Sequence, residues 1–274
     1  MKKGIRFHDV NLPTTEESVE FCKNNKIDYI QLVLEKSIEG HAKKPFSKEY
    51  ALKLKSKFDP LKIAVLGCYI NPSSLDEDFL ELELQKFEKA IRFASILNPI
   101  VVGTETGFCG SACSELDGSE FAYQHLLKSL KRLVKVAESY KVHIGIEGVH
   151  CFVINTPKKM KRLLDDLSSE WVKVIFDPIN YITLANYQEQ DTIISDAFTL
   201  FGDKIAVIHA KDFVVDGTEL KRVELGKGLL NYKLIFENVK KNNLDVPVIS
   251  EEYSKEVAVK GLKWIQEVIN STTI

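Results

Sequence analysis

The sequence predicts an α/β fold, a single (β/α)8 TIM barrel that spans residues 1–274 as one domain. Three observations predict it: eight strand-like apolar runs, a helical pattern between consecutive runs, and a length of 274 residues. Barrels of this kind have about 250 residues, or about 31 for each strand–helix unit. The first strand-to-helix turn, Phe-His-Asp-Val-Asn-Leu-Pro, contains no glycine, which disfavours an open doubly wound sheet.

The eight runs are rich in Val and Ile, and each ends in polar or charged residues. Nearly continuous apolar character is typical of strands that are buried on both faces. The runs begin at Gly4, Asp28, Lys62, Ile100, Val142, Val172, Lys204 and Val246. Because they alternate with helical patterns, we expect the strands to pair in parallel.

The helical patterns carry recognisable start signals. Thr14–Glu17 and Ser74–Glu77 predict capping boxes, in which a hydroxyl and a carboxylate accept backbone N–H groups. Thr156 followed by Pro157 predicts another helix start. Longer stretches, such as the one from Phe121, repeat apolar residues every three or four positions, as amphipathic helices do.

Composition and charge exclude several classes of protein. Hydrophobic residues make up 45% and charged residues 28%, a balance that supports a buried core. The 37 basic and 39 acidic residues give a net charge of -2, so no basic surplus points to nucleic acid. No run approaches the roughly 18 apolar residues of a membrane helix, and no signal-peptide pattern is present. We expect a cytoplasmic protein with a small-molecule carbohydrate substrate and no nucleic-acid or membrane partner, and a homo-oligomer is left open.

The five cysteines are an odd number in a long chain without an export signal. Such usage predicts reduced thiols rather than a disulfide framework. Cys109 and Cys113 lie four residues apart in the loop after the fourth run, and no second pair completes a four-ligand zinc motif. We expect both to be reduced loop thiols.

An ionisable side chain follows each of the last four apolar runs: Glu147, Asp177, His209 and Glu251. One such residue alone is typical of a salt bridge or a cap at a strand end. Four of them on consecutive barrel strands are expected to converge, because the carboxyl ends of the strands carry the active site in these barrels.

Three carboxylates that are buried together each cost several kcal/mol unless positive charge compensates them. A single divalent cation would supply that charge. Three carboxylates and one imidazole form an oxygen-rich ligand set that suits Mn²⁺, Mg²⁺ or Co²⁺, with Zn²⁺ as an alternative. The sequence therefore predicts one divalent metal ion at Glu147, Asp177, His209 and Glu251.

These segments resemble those of the xylose isomerase-like TIM-barrel superfamily, in its sugar phosphate isomerase/epimerase branch. That branch includes ketose 3-epimerases, hydroxypyruvate isomerase and inosose dehydratase. The resemblance covers essentially the whole chain, and its most specific segments are Glu147, Asp177–Asn180, His209–Asp212 and Glu251. It implies a metal held by the same four residues, and it implies that Glu147 and Glu251 are also the catalytic acid/base pair.

The resemblance implies an isomerase or epimerase that removes the proton next to a carbonyl and forms an enediolate, which the metal stabilises. Two positions depart from the epimerase pattern: Asn180 replaces a usual histidine, and Val215 replaces a common arginine. Gly226–Gly228 fits either a phosphate cradle or a plain turn. The choice between a free and a phosphorylated sugar therefore stays open.

Five further residues are candidate substrate contacts: His150, Asn180, Lys211, His8 and Glu105. Lys211 lies two residues after His209, so strand alternation directs both side chains toward one face. Each candidate also has a structural alternative, such as a solvated loop histidine for His150 or an ion pair with Asp212 for Lys211.

Other functions fit the same barrel. A metal-dependent dehydratase or lyase on a polyol-derived ketone, such as an inosose, would use the same ligands and eliminate water. A barrel that binds sugar without turnover would have no use for two acid/base glutamates. A DNA-repair endonuclease would need a histidine-rich multi-zinc cluster, which six histidines and a net charge of -2 disfavour.

Overall fold

The computed structural model describes residues 2–41 and 46–272. The strands in these ranges are β1 (Lys2–Arg6), β2 (Tyr29–Leu32), β3 (Lys62–Gly67), β4 (Val101–Glu105), β5 (Ile144–Glu147), β6 (Val172–Phe176), β7 (Ile205–Ala210), β8 (Asp212–Asp216), β9 (Glu219–Val223) and β10 (Pro247–Ser250). All except β8 and β9 form one closed parallel barrel in the order β1-β10-β7-β6-β5-β4-β3-β2. The predicted (β/α)8 barrel is confirmed.

Helices alternate with the barrel strands: α1 (Thr15–Asn24), α2 (Leu34–Ser37), α3 (Lys48–Phe58), α4 (Glu77–Leu97), α5 (Glu120–Tyr140), α6 (Pro157–Leu167), α7 (Gln190–Phe201), α8 (Tyr232–Lys241) and α9 (Lys255–Ser271). The Thr14 capping box and the Thr156 cap are both present. The box predicted at Ser74 is wrong, because Asp76 caps α4 and accepts from the Phe79 N–H at 3.0 Å. A carboxylate there also interacts favourably with the helix dipole. None of the helices in the described ranges has the length and apolarity that a membrane crossing requires.

Two apolar cores hold the barrel together. The outer core lies between the strands and the helices. The inner core fills the barrel and consists of Tyr29, Ala64, Val65, Val101, Ile175, Val207 and Ile249. Burial of each large aliphatic side chain stabilises the fold by about 1.5–3 kcal/mol. The barrel is therefore a packed solid rather than a tube.

β8 and β9 form an antiparallel hairpin that directly follows β7. This hairpin was not among the elements predicted from the sequence. Its signal is the Asp216-Gly217 dipeptide between two short alternating stretches, because such turns favour a residue with positive φ. Gly217 has a φ of 59°.

A disulfide bond between Cys113 and Cys151 joins the loops that follow β4 and β5. The prediction that Cys113 is a reduced thiol is therefore wrong. The two residues are 38 positions apart in the sequence, and only the pairing of β4 with β5 brings their loops together. Cys22, Cys68 and Cys109 are free and buried, which confirms the prediction that Cys109 is a reduced thiol.

Candidate metal centre

Strand alternation places a layer of polar side chains directly beyond the inner core. Successive side chains of a strand point to opposite faces, so residues two apart share the barrel interior. Ile175, Val207 and Ile249 belong to the inner core, and Asp177, His209 and Glu251 follow them by two residues. Glu147 follows Gly145 in the same way. The layer lies at the carboxyl ends of the strands, where (β/α)8 barrels hold their active sites.

The four predicted ligands are buried in this layer. Glu147 is 2% exposed, Asp177 and His209 are 0% exposed, and Glu251 is 5% exposed. His209 Nδ1 lies 3.3 Å from Glu147 Oε1 and 3.4 Å from Glu251 Oε2. One ligand atom each from Glu147, Asp177 and His209 lies within 4.8 Å of the others, which is close enough to share a cation.

Glu251 lies at the edge of this group, and its oxygens contact other partners as well. Oε1 accepts from Gln31 Nε2 at 3.0 Å and lies 3.4 Å from Arg6 Nη1. Oε2 lies 2.8 Å from Lys211 Nζ. The structure therefore groups three of the four predicted ligands, and metal ligation by all four remains a prediction.

Lys211 supplies a buried positive charge beside the carboxylates. Its Nζ lies 2.9 Å from Asp177 Oδ2, 2.8 Å from Glu251 Oε2 and 3.2 Å from Glu252 Oε1. Burial opposes its protonation, but Asp177 and Glu251 outweigh burial and raise the pKa of Lys211 above its ordinary value. The ammonium group therefore stays charged in this layer.

The other ionisable groups shift one another strongly. Burial lowers the pKa of His209, but Glu251 and Glu147 outweigh burial and raise it to about 9. Burial raises the pKa of Glu147, and burial together with Glu147 and Glu251 raises the pKa of Glu105 to about 7. Burial also raises the pKa of Glu251, but His209 and Lys211 outweigh burial and hold that pKa well below the usual range. Such clusters of shifted groups are typical of functional sites.

The donor set fits a divalent cation. Carboxylate oxygens suit Mg²⁺ and Mn²⁺, and imidazole extends the choice to Co²⁺ and Zn²⁺. His209 Nε2 is buried and has no hydrogen-bond partner in the described part of the chain, so one imidazole nitrogen stays available. Lys211 and Arg6 already lie beside Glu251, and a cation bound at Glu147, Asp177 and His209 would release any proton that His209 carries.

A cavity of about 470 Å³ opens onto the polar layer. Its lining includes His8, Glu105, Glu147, Lys211 and Glu251. A volume of this size suits a small-molecule ligand. Five of the residues predicted from the sequence as ligands or substrate contacts thus line one cavity.

Asn180 also reaches the site, because its Nδ2 donates to Glu147 Oε1 at 2.8 Å. His150 is exposed and is not part of the cavity lining. Its Nδ1 lies 3.3 Å from the Asn180 carbonyl oxygen. The roles of these residues as substrate contacts remain predictions.

Three residues of the polar layer were not predicted from the sequence: Arg6, Gln31 and Tyr69. Gln31 Nε2 contacts both Tyr69 Oη at 2.9 Å and Glu251 Oε1 at 3.0 Å. Arg6 and Tyr69 line the cavity with Gln31. The alternation of side chains along a strand could have indicated them. Arg6 follows Gly4, Gln31 follows Tyr29 and Tyr69 follows Gly67, each by two residues, and residues two apart in a strand share one face.

Gly226–Gly228 encloses a carboxylate of the protein itself. The N–H groups of Gly226 and Gly228 both donate to Asp212 Oδ2 at 3.0 Å. The Leu230 N–H donates to Asp212 Oδ1 at 3.1 Å. This stretch is therefore the turn that the sequence left open, and its N–H groups are already used.

Comparison with known proteins agrees with this fold. A family model described as "Xylose isomerase-like TIM barrel" matches residues 19–268. The chain belongs to this family, as the resemblance in its sequence predicted. A curated relative, an uncharacterized protein of Methanocaldococcus jannaschii, is 24% identical over 265 residues, which cover 92% of this chain and 85% of that protein.

Solved structures share the same fold. A D-tagatose 3-epimerase-like protein aligns with a TM-score of 0.77 and 22% identity over 98% of each chain. An IolI protein with a bound zinc atom aligns with a TM-score of 0.79 and 16% identity over 100% of this chain and 99% of that one. D-psicose 3-epimerase with D-tagatose, from Clostridium cellulolyticum H10, aligns with a TM-score of 0.75 and 14% identity over 99% of each chain.

Proposed function

We propose that this chain is a divalent-metal-dependent sugar or sugar phosphate isomerase/epimerase. The observation that carries the proposal is the polar layer, in which Glu147, Asp177 and His209 can share a cation beside a cavity that Lys211 and Glu251 line. The ketose 3-epimerases among the structural relatives support the reaction class, and the zinc atom of the IolI protein supports a metal. We propose Mn²⁺, with Mg²⁺, Co²⁺ and Zn²⁺ as alternatives.

The cation would be held by Glu147, Asp177, His209 and Glu251, and it would polarise the substrate carbonyl and stabilise the enediolate charge. Glu147 and Glu251 form the acid/base pair of the proposal. They lie on or directly after β5 and β10, three strands apart around the barrel, so they reach the cavity from different sides. A bound cation would favour the ionised form of both glutamates, so each can act as a base and return the proton that it has taken up.

The neighbouring side chains position this pair. Asn180 holds Glu147 Oε1, and Gln31 holds Glu251 Oε1. The Lys211 ammonium group would stabilise negative charge on a substrate oxygen. His8 and Glu105 line the cavity and are proposed to bind sugar hydroxyl groups, and His150 stays a proposed contact of a sugar hydroxyl.

A screen of ketoses, ketose phosphates and inososes with added Mn²⁺, followed by NMR in D₂O, tests the proposal. Deuterium incorporation next to the carbonyl together with an epimer or isomer is the expected result. An unsaturated, dehydrated product would instead favour the dehydratase, which uses the same ligands. Binding without exchange would favour a sugar-binding barrel, and neither binding nor turnover of any of these compounds would overturn the proposal.

A further inference from the structure

We propose a second metal site, formed by Cys113, His150 and Cys151, which binds one Zn²⁺-like cation when the Cys113–Cys151 disulfide is reduced. The two sulfur atoms and one ring nitrogen of His150 lie within 4.8 Å of one another. The three residues lie on the loops after β4 and β5 and are separate from the carboxylate group of the polar layer. Two thiolates and an imidazole are a donor set that zinc prefers in proteins.

Backbone contacts hold these side chains together independently of the sulfur–sulfur bond. The Cys113 N–H donates to the Cys151 carbonyl at 2.9 Å, so the two loops stay paired on reduction. The His150 N–H donates to the Asn180 carbonyl at 2.6 Å, and His150 Nδ1 lies 3.3 Å from the same oxygen. A histidine whose Nδ1–H contacts a carbonyl keeps the Nε2 lone pair for a metal, as metal-bound histidines do.

The site is accessible to reductants and to metal ions. Cys113 and His150 are exposed, and Cys151 is half-buried. Cys109 lies in the same loop as Cys113 but is buried, and its N–H donates to Asp117 Oδ1 at 2.8 Å. A reductant in solution therefore reaches the Cys113–Cys151 bond, and Cys109 offers a matched control.

Thiol–disulfide exchange switches the site. A dithiol transfers two electrons and two protons to the Cys113–Cys151 bond, which breaks into two thiols while the dithiol becomes a cyclic disulfide. Binding of Zn²⁺ then releases both thiol protons and forms two sulfur–metal bonds and one nitrogen–metal bond. A small-molecule disulfide reverses the exchange: it takes two electrons from the two thiolates, the Cys113–Cys151 bond forms again, and the cation is released.

Titration of the full-length protein with Co²⁺ tests this site. Thiolates bound to Co²⁺ give a sulfur-to-metal charge-transfer absorption, whereas a cation held by Glu147, Asp177 and His209 has no sulfur ligand and gives none. Protein that has been reduced and freed of reductant under inert gas should show this absorption, and it should saturate by the time two Co²⁺ per chain have bound, because the carboxylate site also binds Co²⁺. Oxidised protein should show none. Absence of this absorption in reduced wild-type protein would overturn the proposal. This test requires no variant.

Variants identify the ligands. Cys113→Ser and Cys151→Ser should each abolish the absorption, and His150→Ala should weaken Co²⁺ binding there by at least about tenfold. Cys109→Ser removes a free thiol of the same loop and should leave the absorption unchanged. An absorption that persists in the Cys113→Ser/Cys151→Ser double variant would assign the metal to other residues and refute the site.

Discussion

The carboxylate of Glu251 contacts Lys211 through one oxygen and Gln31 and Arg6 through the other. Glu251→Gln keeps the shape of the side chain and removes the charge and the basic oxygen. We expect solvent-deuterium exchange at the substrate carbon, measured by NMR, to fall by at least about 100-fold. Glu256→Gln, at an exposed position of α9, is the control and should keep the wild-type rate. Unchanged exchange in Glu251→Gln would remove this residue from the mechanism.

The buried thiols give a prediction that depends on pH. Burial raises the pKa of Cys22 and of Cys68 to about 12. Because the thiolate is the reactive form, both side chains should resist iodoacetamide at about pH 8 in the folded protein. Reduced Cys113, which is exposed, should be alkylated in the same sample, and unfolded protein should label at every cysteine. Peptide mapping by mass spectrometry measures this, and equal labelling of Cys68 and Cys113 before unfolding would contradict the burial.

The ionisable residues that directly follow the last four barrel strands could be predicted, whereas Arg6, Gln31 and Tyr69 were not. Asp177 and His209 follow apolar runs directly, so an ionisable side chain there stands out. Gln31 and Tyr69 are neutral, and their places in the polar layer depend on which face of each strand points inward. Cys113 and Cys151 pair only because β4 and β5 are neighbours, a relation that cysteine number and spacing do not contain.

At the scale of elements, Asp212 organises the segment that follows β7. Its carboxylate accepts four backbone N–H groups, from Phe213, Gly226, Gly228 and Leu230. Asp212→Ala leaves these donors without their acceptor, and each buried unsatisfied donor costs about 1–3 kcal/mol. We expect the free energy of unfolding, measured with denaturant, to fall by at least about 2 kcal/mol.

Asp216→Ala is the matched control for Asp212→Ala. Asp216 is an exposed aspartate of the same hairpin, and its loss should change the free energy of unfolding by less than about 0.5 kcal/mol. Equal losses in the two variants would contradict the role given to Asp212.

The barrel strands were predictable because burial on both faces makes their sequences continuously apolar. The β8–β9 hairpin was not, because its strands are short and β9 is largely exposed. The start of α4 was misplaced because Ser74 and Asp76 both have side chains that can cap a helix, and the choice depends on how the preceding loop approaches it.

At the scale of the whole molecule, the inner core has no spare room. A Cβ on Gly103 would lie 2.6 Å from Val65 Cγ1 and 2.8 Å from Ile175 Cδ1. We expect Gly103→Ala to lower the free energy of unfolding by about 1–3 kcal/mol, because overpacking forces neighbouring side chains to shift. Ile175→Val in the same chain should restore part of that loss. Gly110→Ala has no atom within 4 Å of the new Cβ and is the control, so equal stability of the two alanine variants would contradict the tight packing.

Metal binding should stabilise the whole chain and support its activity. A cation that binds only the folded protein, at 100 times its Kd, adds about 2.7 kcal/mol. We expect Mn²⁺ to raise the Tm, Asp177→Asn to lose most of that rise, and a chelator to abolish turnover until Mn²⁺ or Co²⁺ is returned. Full turnover in the metal-free protein would contradict the proposed metal dependence.

The packed interior of the barrel also limits how molecules travel. The axis below the polar layer is occupied by side chains such as Val65, Val207 and Ile249, which have no exposed surface. Small molecules therefore reach the carboxylates from the carboxyl-terminal end of the strands, and a product formed there leaves by the same route. An inhibitor that covers this entrance would block arrival and departure together, even without touching the carboxylates.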